Sequence, residues 1–233
     1  MLYPLKFHPI LKKKIWGGER LAYKSKEHDE SIGESWEISA VEDNISVVSN
    51  GILADNDLQE LIEVYMGDLV GDHIYEKFGV EFPLLIKYID ANDDLSIQVH
   101  PDDETAKERH NAYGKTEMWY IVDADKDASL VLGFNHEIDK ATYLQALHQN
   151  KLMDLLNVQK VKKGESFFIP AGLAANGVVG RYQLEVGYVD VAVAVFVIAD
   201  LAPGGYCYAS VRGASGVVRV VYIAPLEAED KRS

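Results

Sequence analysis

The sequence predicts a mainly β protein, a barrel or jelly roll with helices attached. Three observations carry that expectation. Short stretches alternate polar and apolar residues, as in "ESWEIS" (34–39), the period of a half-buried strand. Glycine and proline turns punctuate them, as in "KKGESFFIPAG" (162–172). Helical spacing is confined to a few stretches, the longest at about 57–78. Many short strands around one helical insert belong to a barrel or jelly roll rather than to alternating β/α units.

Taken in order, "ESWEIS" and "NISVVSNG" (44–51) read as strands. In the insert, Leu58, Leu61, Ile62 and Tyr65 share a face behind Asp57 as N-cap. "FPLLIKYID" and "LSIQVH" read as two buried strands joined by the turn "ANDD". Residues 105–110 suit a short helix, and "EMWYIVDA" and "ASLVLGF" return to strand. "DKATYLQALHQN" is helical behind Asp139, with "KLMDLLN" continuing it. "VQKVKKGESFFIPAG" is strand, glycine turn, strand, proline–glycine turn.

From about Leu173 the texture changes, with Val, Ala and Gly crowding the chain to Val221. The expected organisation is a unit over 1–172 carrying the insert. Residues 173–233 then hold the end of the barrel and a partial second β unit.

The composition is that of an ordinary globular chain, 48% hydrophobic and 26% charged over 233 residues. A net charge of −14 excludes broad binding to nucleic acid or anionic membrane, but leaves room for a few lysines around a small anion. One cysteine, Cys207, permits no internal disulfide and fits a reducing cytoplasm. The N-terminus has no signal-peptide pattern, and "VAVAVFVIA" (191–199) is too short to span a bilayer as a helix. The expectation is a cytoplasmic protein with neither nucleic-acid nor membrane partners, its oligomeric state open.

The chemistry gathers in "SIQVHPDDE" (96–104). On a strand, Gln98 and His100 point the same way, inward if apolar Ile97 and Val99 set the frame. Lys115 and Glu117 share a face at the start of "EMWYIVDA". An amide oxygen, an imidazole and a carboxylate form a mixed N/O set that a divalent first-row metal accepts. Taken alone, Gln-x-His also describes a strand-end histidine satisfied by backbone. Asp102, Asp103 and Glu104 follow Pro101 as a helix start, where acids favour the dipole.

Gly164, five residues, then Pro170-Ala171-Gly172 resembles the second motif of the cupin superfamily, a jelly-roll barrel fold. Together, "WGGERL", "IGESWEIS", "PLLIKYIDANDDLSIQVHPDD", "GKTEMWYIVD" and "GESFFIPAG" resemble the type I phosphomannose isomerases, zinc-dependent mannose-6-phosphate isomerases of that superfamily. The likeness runs from about Tyr3 to Gly172.

It implies interconversion of mannose 6-phosphate and fructose 6-phosphate through an enediol. It also implies a Zn2+ site from Gln98, His100 and Glu117, with a histidine after "PAG". It places Lys115 as an active-site lysine and Trp16, Lys87 and Ser96 along the substrate pocket. Glu185, in "YQLEVG", matches a family glutamate and is the expected proton-transferring base.

Two positions depart from the family. The histidine slot holds Ala175, and an arginine slot falls near Val195. Two explanations stay open: a chain that has given up the reaction, or a tail whose residues do not report the natural sequence. The alternative function is therefore an inactive cupin that binds sugar phosphate or metal as a sensor or scaffold. A cupin dioxygenase is a weaker third reading, because such enzymes usually want iron and more histidines.

Overall fold

The computed structural model describes residues 2–21, 24, 31–95, 97–177, 191–198, 210–213 and 216–219. In chain order these form β1 (Ile10–Lys13), β2 (Ile32–Ile38), β3 (Ala40–Val41), β4 (Asn44–Ile45), α1 (Leu58–Tyr65), α2 (Gly67–Val70), α3 (Asp72–Phe78), β5 (Leu84–Ala91) and β6 (Gln98–Val99). Then follow α4 (Asp103–His110), β7 (Thr116–Ala124), β8 (Ser129–Phe134), α5 (Lys140–His148), β9 (Leu156–Lys160), β10 (Ser166–Ile169), β11 (Ala174–Gly177), β12 (Val191–Ile198), β13 (Ser210–Gly213) and β14 (Gly216–Arg219).

Two antiparallel sheets organise the chain. One runs β1-β2-β5-β12-β7-β10 and the other β6-β11-β8-β9. Their facing sides hold a core of Ala91, Trp119, Ile121, Ala128, Leu130, Val161 and Ile169, with Ile89, Leu132 and Phe167 packed against it. Ile121 and Leu130 are fully buried, each removal from water stabilising the fold by about 1.5–3 kcal/mol. Strand β7 alternates half-buried and buried residues over its first seven positions, which is why "EMWYIVDA" is legible as a strand.

The helical insert differs from a single helix over 57–78. Asp57 does cap it, accepting from Glu60 N while the Glu60 carboxylate accepts from Asp57 N, and Leu58, Leu61 and Ile62 are buried. The stretch then breaks twice, at Met66 (φ 48°) and Gly71 (φ 92°), because a positive φ interrupts the i→i−4 ladder. "KLMDLLN" does not continue α5 either. Asn150 turns left-handed (φ 55°), and residues 152–155 form a separate 3-10 turn. The expected buried strand "LSIQVH" is reduced to the two-residue β6, and both its residues are exposed. A two-residue edge strand has one neighbour, so little of it is covered.

Asp102 and Asp139 behave as caps, accepting from Thr105 N (2.8 Å) and Thr142 N (2.7 Å). No described helix is long and apolar enough to cross a membrane.

Candidate metal and substrate site

The inner face of the six-stranded sheet carries a repeated unit, a glutamate followed two residues later by a tryptophan. Residues i and i+2 share a face, so each indole reaches back to its carboxylate. Trp119 donates to Glu117 (3.3 Å) and Trp36 donates to Glu34 (2.6 Å). Both carboxylates are buried, at 5% and 7% exposure. A buried charge left unpaired costs several kcal/mol, and here each has a lysine. Lys115 Nζ lies 3.2 Å from Glu117 Oε1, and Lys87 Nζ lies 3.5 Å from Glu34 Oε2.

The register makes these one cluster. Lys87 pairs across the ladder with Val195, and Val195 pairs with Trp119. The Lys87 and Glu117 units therefore flank β12 on the same face. A cavity of about 1070 Å³ is lined by Lys87 and Lys115, with Trp36, Phe78 and Tyr113 among its other walls.

His100 enters from the other sheet, just past β6. Gly172 N donates to His100 O (2.7 Å), and Lys115 N donates to Pro101 O (3.1 Å). Gly114 is pressed against the backbone of Asp102 and Asp103, where a Cβ would lie 2.5 Å from Asp103 N. These contacts bring His100 Nε2 to 3.8 Å from Glu117 Oε2. Burial, with the ammonium groups of Lys115 and Lys87, holds His100 below the ordinary imidazole range, and Glu117 only partly offsets them. The ring is thus neutral at neutral pH, and its contact with Glu117 is not an ion pair.

Burial also holds Lys87 below the ordinary lysine range, joined by Lys115 and opposed by Glu34 and Glu117. For Glu34, burial pushes the carboxyl up. Lys87, the Trp36 N–H and Lys14 together outweigh it and leave the group below its usual range.

A family model described as phosphomannose isomerase type I, catalytic domain, matches residues 4–153. The chain belongs to this family.

Curated relatives in Bacillus subtilis (strain 168) include the mannose-6-phosphate isomerase ManA, 40% identical over 72% of this chain and 52% of its own length. Another is the probable mannose-6-phosphate isomerase GmuF, 38% identical over 80% of this chain and 58% of its own. A crystal structure of the mannose 6-phosphate isomerase from Bacillus subtilis superposes with a TM-score of 0.70 at 28% identity, covering 97% of this chain and 63% of that one. The chain thus spans a little over half the length of the curated relatives it matches, and it shares their cupin-type β fold.

Within this phosphomannose isomerase frame, the positions named from sequence divide. His100, Lys115, Glu117 and Lys87 converge. Gln98 sits at the edge of the four-stranded sheet and is exposed, so its expected inward placement is only half met. Its register partner is Ala175, which pairs in turn with Leu132 of the core. The row therefore leads inward while Gln98 stands at its outer end.

Trp16 is half-buried and packs on the core, its carbonyl accepting from Asn92 N (2.8 Å). Ser96 and Glu185 lie outside the described residues. Glu34 was missed from sequence. Its signal was present, since "ESW" in β2 repeats the "EMW" of β7.

Among the described residues no three His, Cys, Asp or Glu side chains cluster as a metal cage. The donors that suit a divalent ion are the Glu117 carboxylate, the neutral His100 ring and the Gln98 amide. Two donors on one tetrahedral ion stand about 3.3 Å apart, close to the 3.8 Å between His100 and Glu117. Three protein donors are the ordinary complement of a catalytic metal site. The His100–Glu117 pair fits a divalent metal by its chemistry and spacing, while Gln98 stands exposed and Ala175 adds no donor.

Proposed function

We propose that the chain catalyses zinc-dependent isomerisation of mannose 6-phosphate to fructose 6-phosphate by enediol proton transfer. The observation that carries this reading is the approach of His100 and Lys115 to the Glu117 carboxylate, with Lys115 and Lys87 both lining one cavity. Gln98, His100 and Glu117 would hold the zinc. When bound, it supplies Lewis-acid stabilisation of oxygen charge that develops on the sugar.

The chain's own groups do the rest. Lys115 Nζ, held by Glu117, presents a proton to the sugar's O1 and O2. Lys87 and Lys115 draw the phosphate dianion into an otherwise acidic protein. Trp16, Ser96 and Glu185 complete the expected pocket, with Glu185 as the base at C2 and C1.

A coupled assay that detects fructose 6-phosphate tests the proposal on the zinc-loaded chain. Turnover is expected in the parent, and His100→Ala loses both bound zinc and turnover. A folded, zinc-bound parent with no turnover overturns it.

Two positions favour a second reading, an inactive cupin that binds sugar phosphate or metal as a sensor or scaffold. Ala175, beside Gln98 in the ladder, supplies no ligand, and Val195, in the row between Lys87 and Trp119, supplies no cation. Under that reading calorimetry finds binding of mannose 6-phosphate without conversion. Ala175→His then tightens zinc.

A further inference from the structure

We propose that Glu34 is the positioning residue of the pocket, fixing Lys87 in place and keeping it charged. The inference rests on the reading of the cavity as a sugar-phosphate pocket. Its geometry is independent of any metal.

Glu34 is one of the few buried carboxylates among the described residues, and its partners come from three elements. Trp36 on its own strand donates at 2.6 Å to Oε2. Lys87 on β5 stands 3.5 Å from the same oxygen. Lys14, just past β1, stands 3.7 Å from Oε1. The indole N–H locks the carboxylate's rotamer, so the charge sits at a fixed point beside Lys87.

The preceding residue supports the placement. A Cβ on Gly33 would lie 2.6 Å from the Lys14 Cβ and 2.7 Å from the Trp16 ring. Glycine there lets the Lys14–Trp16 arm close onto β2. The same construction, a carboxylate held by the next tryptophan and facing a lysine, recurs at Glu117.

Lys87 needs such a partner. Its side chain is only 12% exposed, and a buried ammonium without a counter-charge tends to shed its proton. The groups facing it are Glu34 on β2, Lys115 and Glu117 at the start of β7, and His100 beyond β6. Two of these are cationic or neutral, and Glu117 already serves Lys115. Glu34 is therefore the group that maintains the charge of Lys87, and a charged Lys87 is what attracts a phosphate.

The test is the rate of acetylation by acetic anhydride, measured by mass spectrometry at Lys87 as a function of pH. Lys160, whose side chain is 75% exposed, is the internal reference. Only the unprotonated amine reacts. Glu34→Gln keeps the shape and an acceptor for Trp36 but removes the charge. The expected result is a Lys87 profile displaced to lower pH, with labelling several-fold faster at neutral pH and Lys160 unchanged.

A merely structural role would raise the rate equally at every pH, or not at all, and either result overturns the proposal. Glu34→Asp, which retains the charge at a shorter reach, gives an intermediate profile and serves if the glutamine variant is unstable. A wild-type profile in both variants also overturns it. A parallel arm adds mannose 6-phosphate to the parent. Loss of protection at Lys87 there counts against the sugar-phosphate reading and leaves the Glu34 result standing by itself.

Discussion

The two Glu-x-Trp units lie on one face of one sheet, yet they open onto different things. Glu34 is closed in by cations, with Lys87 and Lys14 on its two oxygens. Glu117 has one lysine, and its other oxygen faces His100 across a gap of 3.8 Å. The first unit is complete as folded and spends its charge on holding lysines. The second keeps one side toward a neutral imidazole, where an ion can sit. A single sequence device thus yields a counter-ion in one place and a candidate ligand in the other. What decides between them is the element packed opposite: a lysine-bearing arm for Glu34, the loop after β6 for Glu117.

The largest expected effect comes from breaking the Glu117 unit. Glu117→Gln keeps volume and an acceptor for Trp119 but removes the charge that both Lys115 and a metal require. Zinc affinity should fall by more than the roughly 10–100-fold that loss of an outer-shell partner costs. Isothermal calorimetry with the metal checks this, and circular dichroism should show the fold retained. If Glu34→Gln lowered zinc affinity equally, the distinction between the two units would collapse.

A smaller effect isolates the loop. In Gly114→Ala the new Cβ meets the backbone of Asp102 and Asp103 at 2.5–2.6 Å, contacts that only backbone movement relieves. The loop bearing His100 is displaced while β7 stays seated in its core. Zinc affinity is expected to drop by about tenfold, on the scale of a disturbed supporting group, with little change in melting temperature. A large loss of stability with unaltered affinity would show that the loop does not set the distance between His100 and Glu117.

These contrasts explain what the sequence disclosed. Long strands with both neighbours present, such as β5 and β7, declare themselves because burial enforces alternation over most of their length. The same alternation placed Gln98 and His100 on one side but could not report coverage. That depends on β6 being an edge of two residues. Glu34 went unread because a lone glutamate in an alternating strand looks like a solvent-facing position. Only the cross-strand lysine and the following tryptophan make it interior. Strand β12 is invisible as a site element for a related reason. Its place between β5 and β7 is a non-local pairing, and it alone brings Lys87 level with Trp119. The breaks at Met66, Gly71 and Asn150 turn on single backbone dihedrals that hydrophobic periodicity does not encode.

The subtlest expectation concerns acid. Asp102 caps α4 directly after the His100–Pro101 pair, and hydrogen bonds from Thr105 hold its carboxyl below the ordinary aspartate range. A carboxyl lowered by folding contributes stability at pH above its unfolded value and loses it as pH falls through the folded one. The loop's anchorage should therefore persist at pH 5 and weaken only below the ordinary aspartate range. Nothing comparable touches the centre of β7. Amide hydrogen exchange followed down the pH scale, after correction for intrinsic rates, should show Thr105 and Ala106 losing protection before Trp119 and Ile121. Asp102→Asn, which still caps but does not titrate in this range, should remove the early step. Simultaneous loss at both places would mean that the loop and the strand unfold as one unit, and that the difference between the two sides of Glu117 is geometric without being energetic.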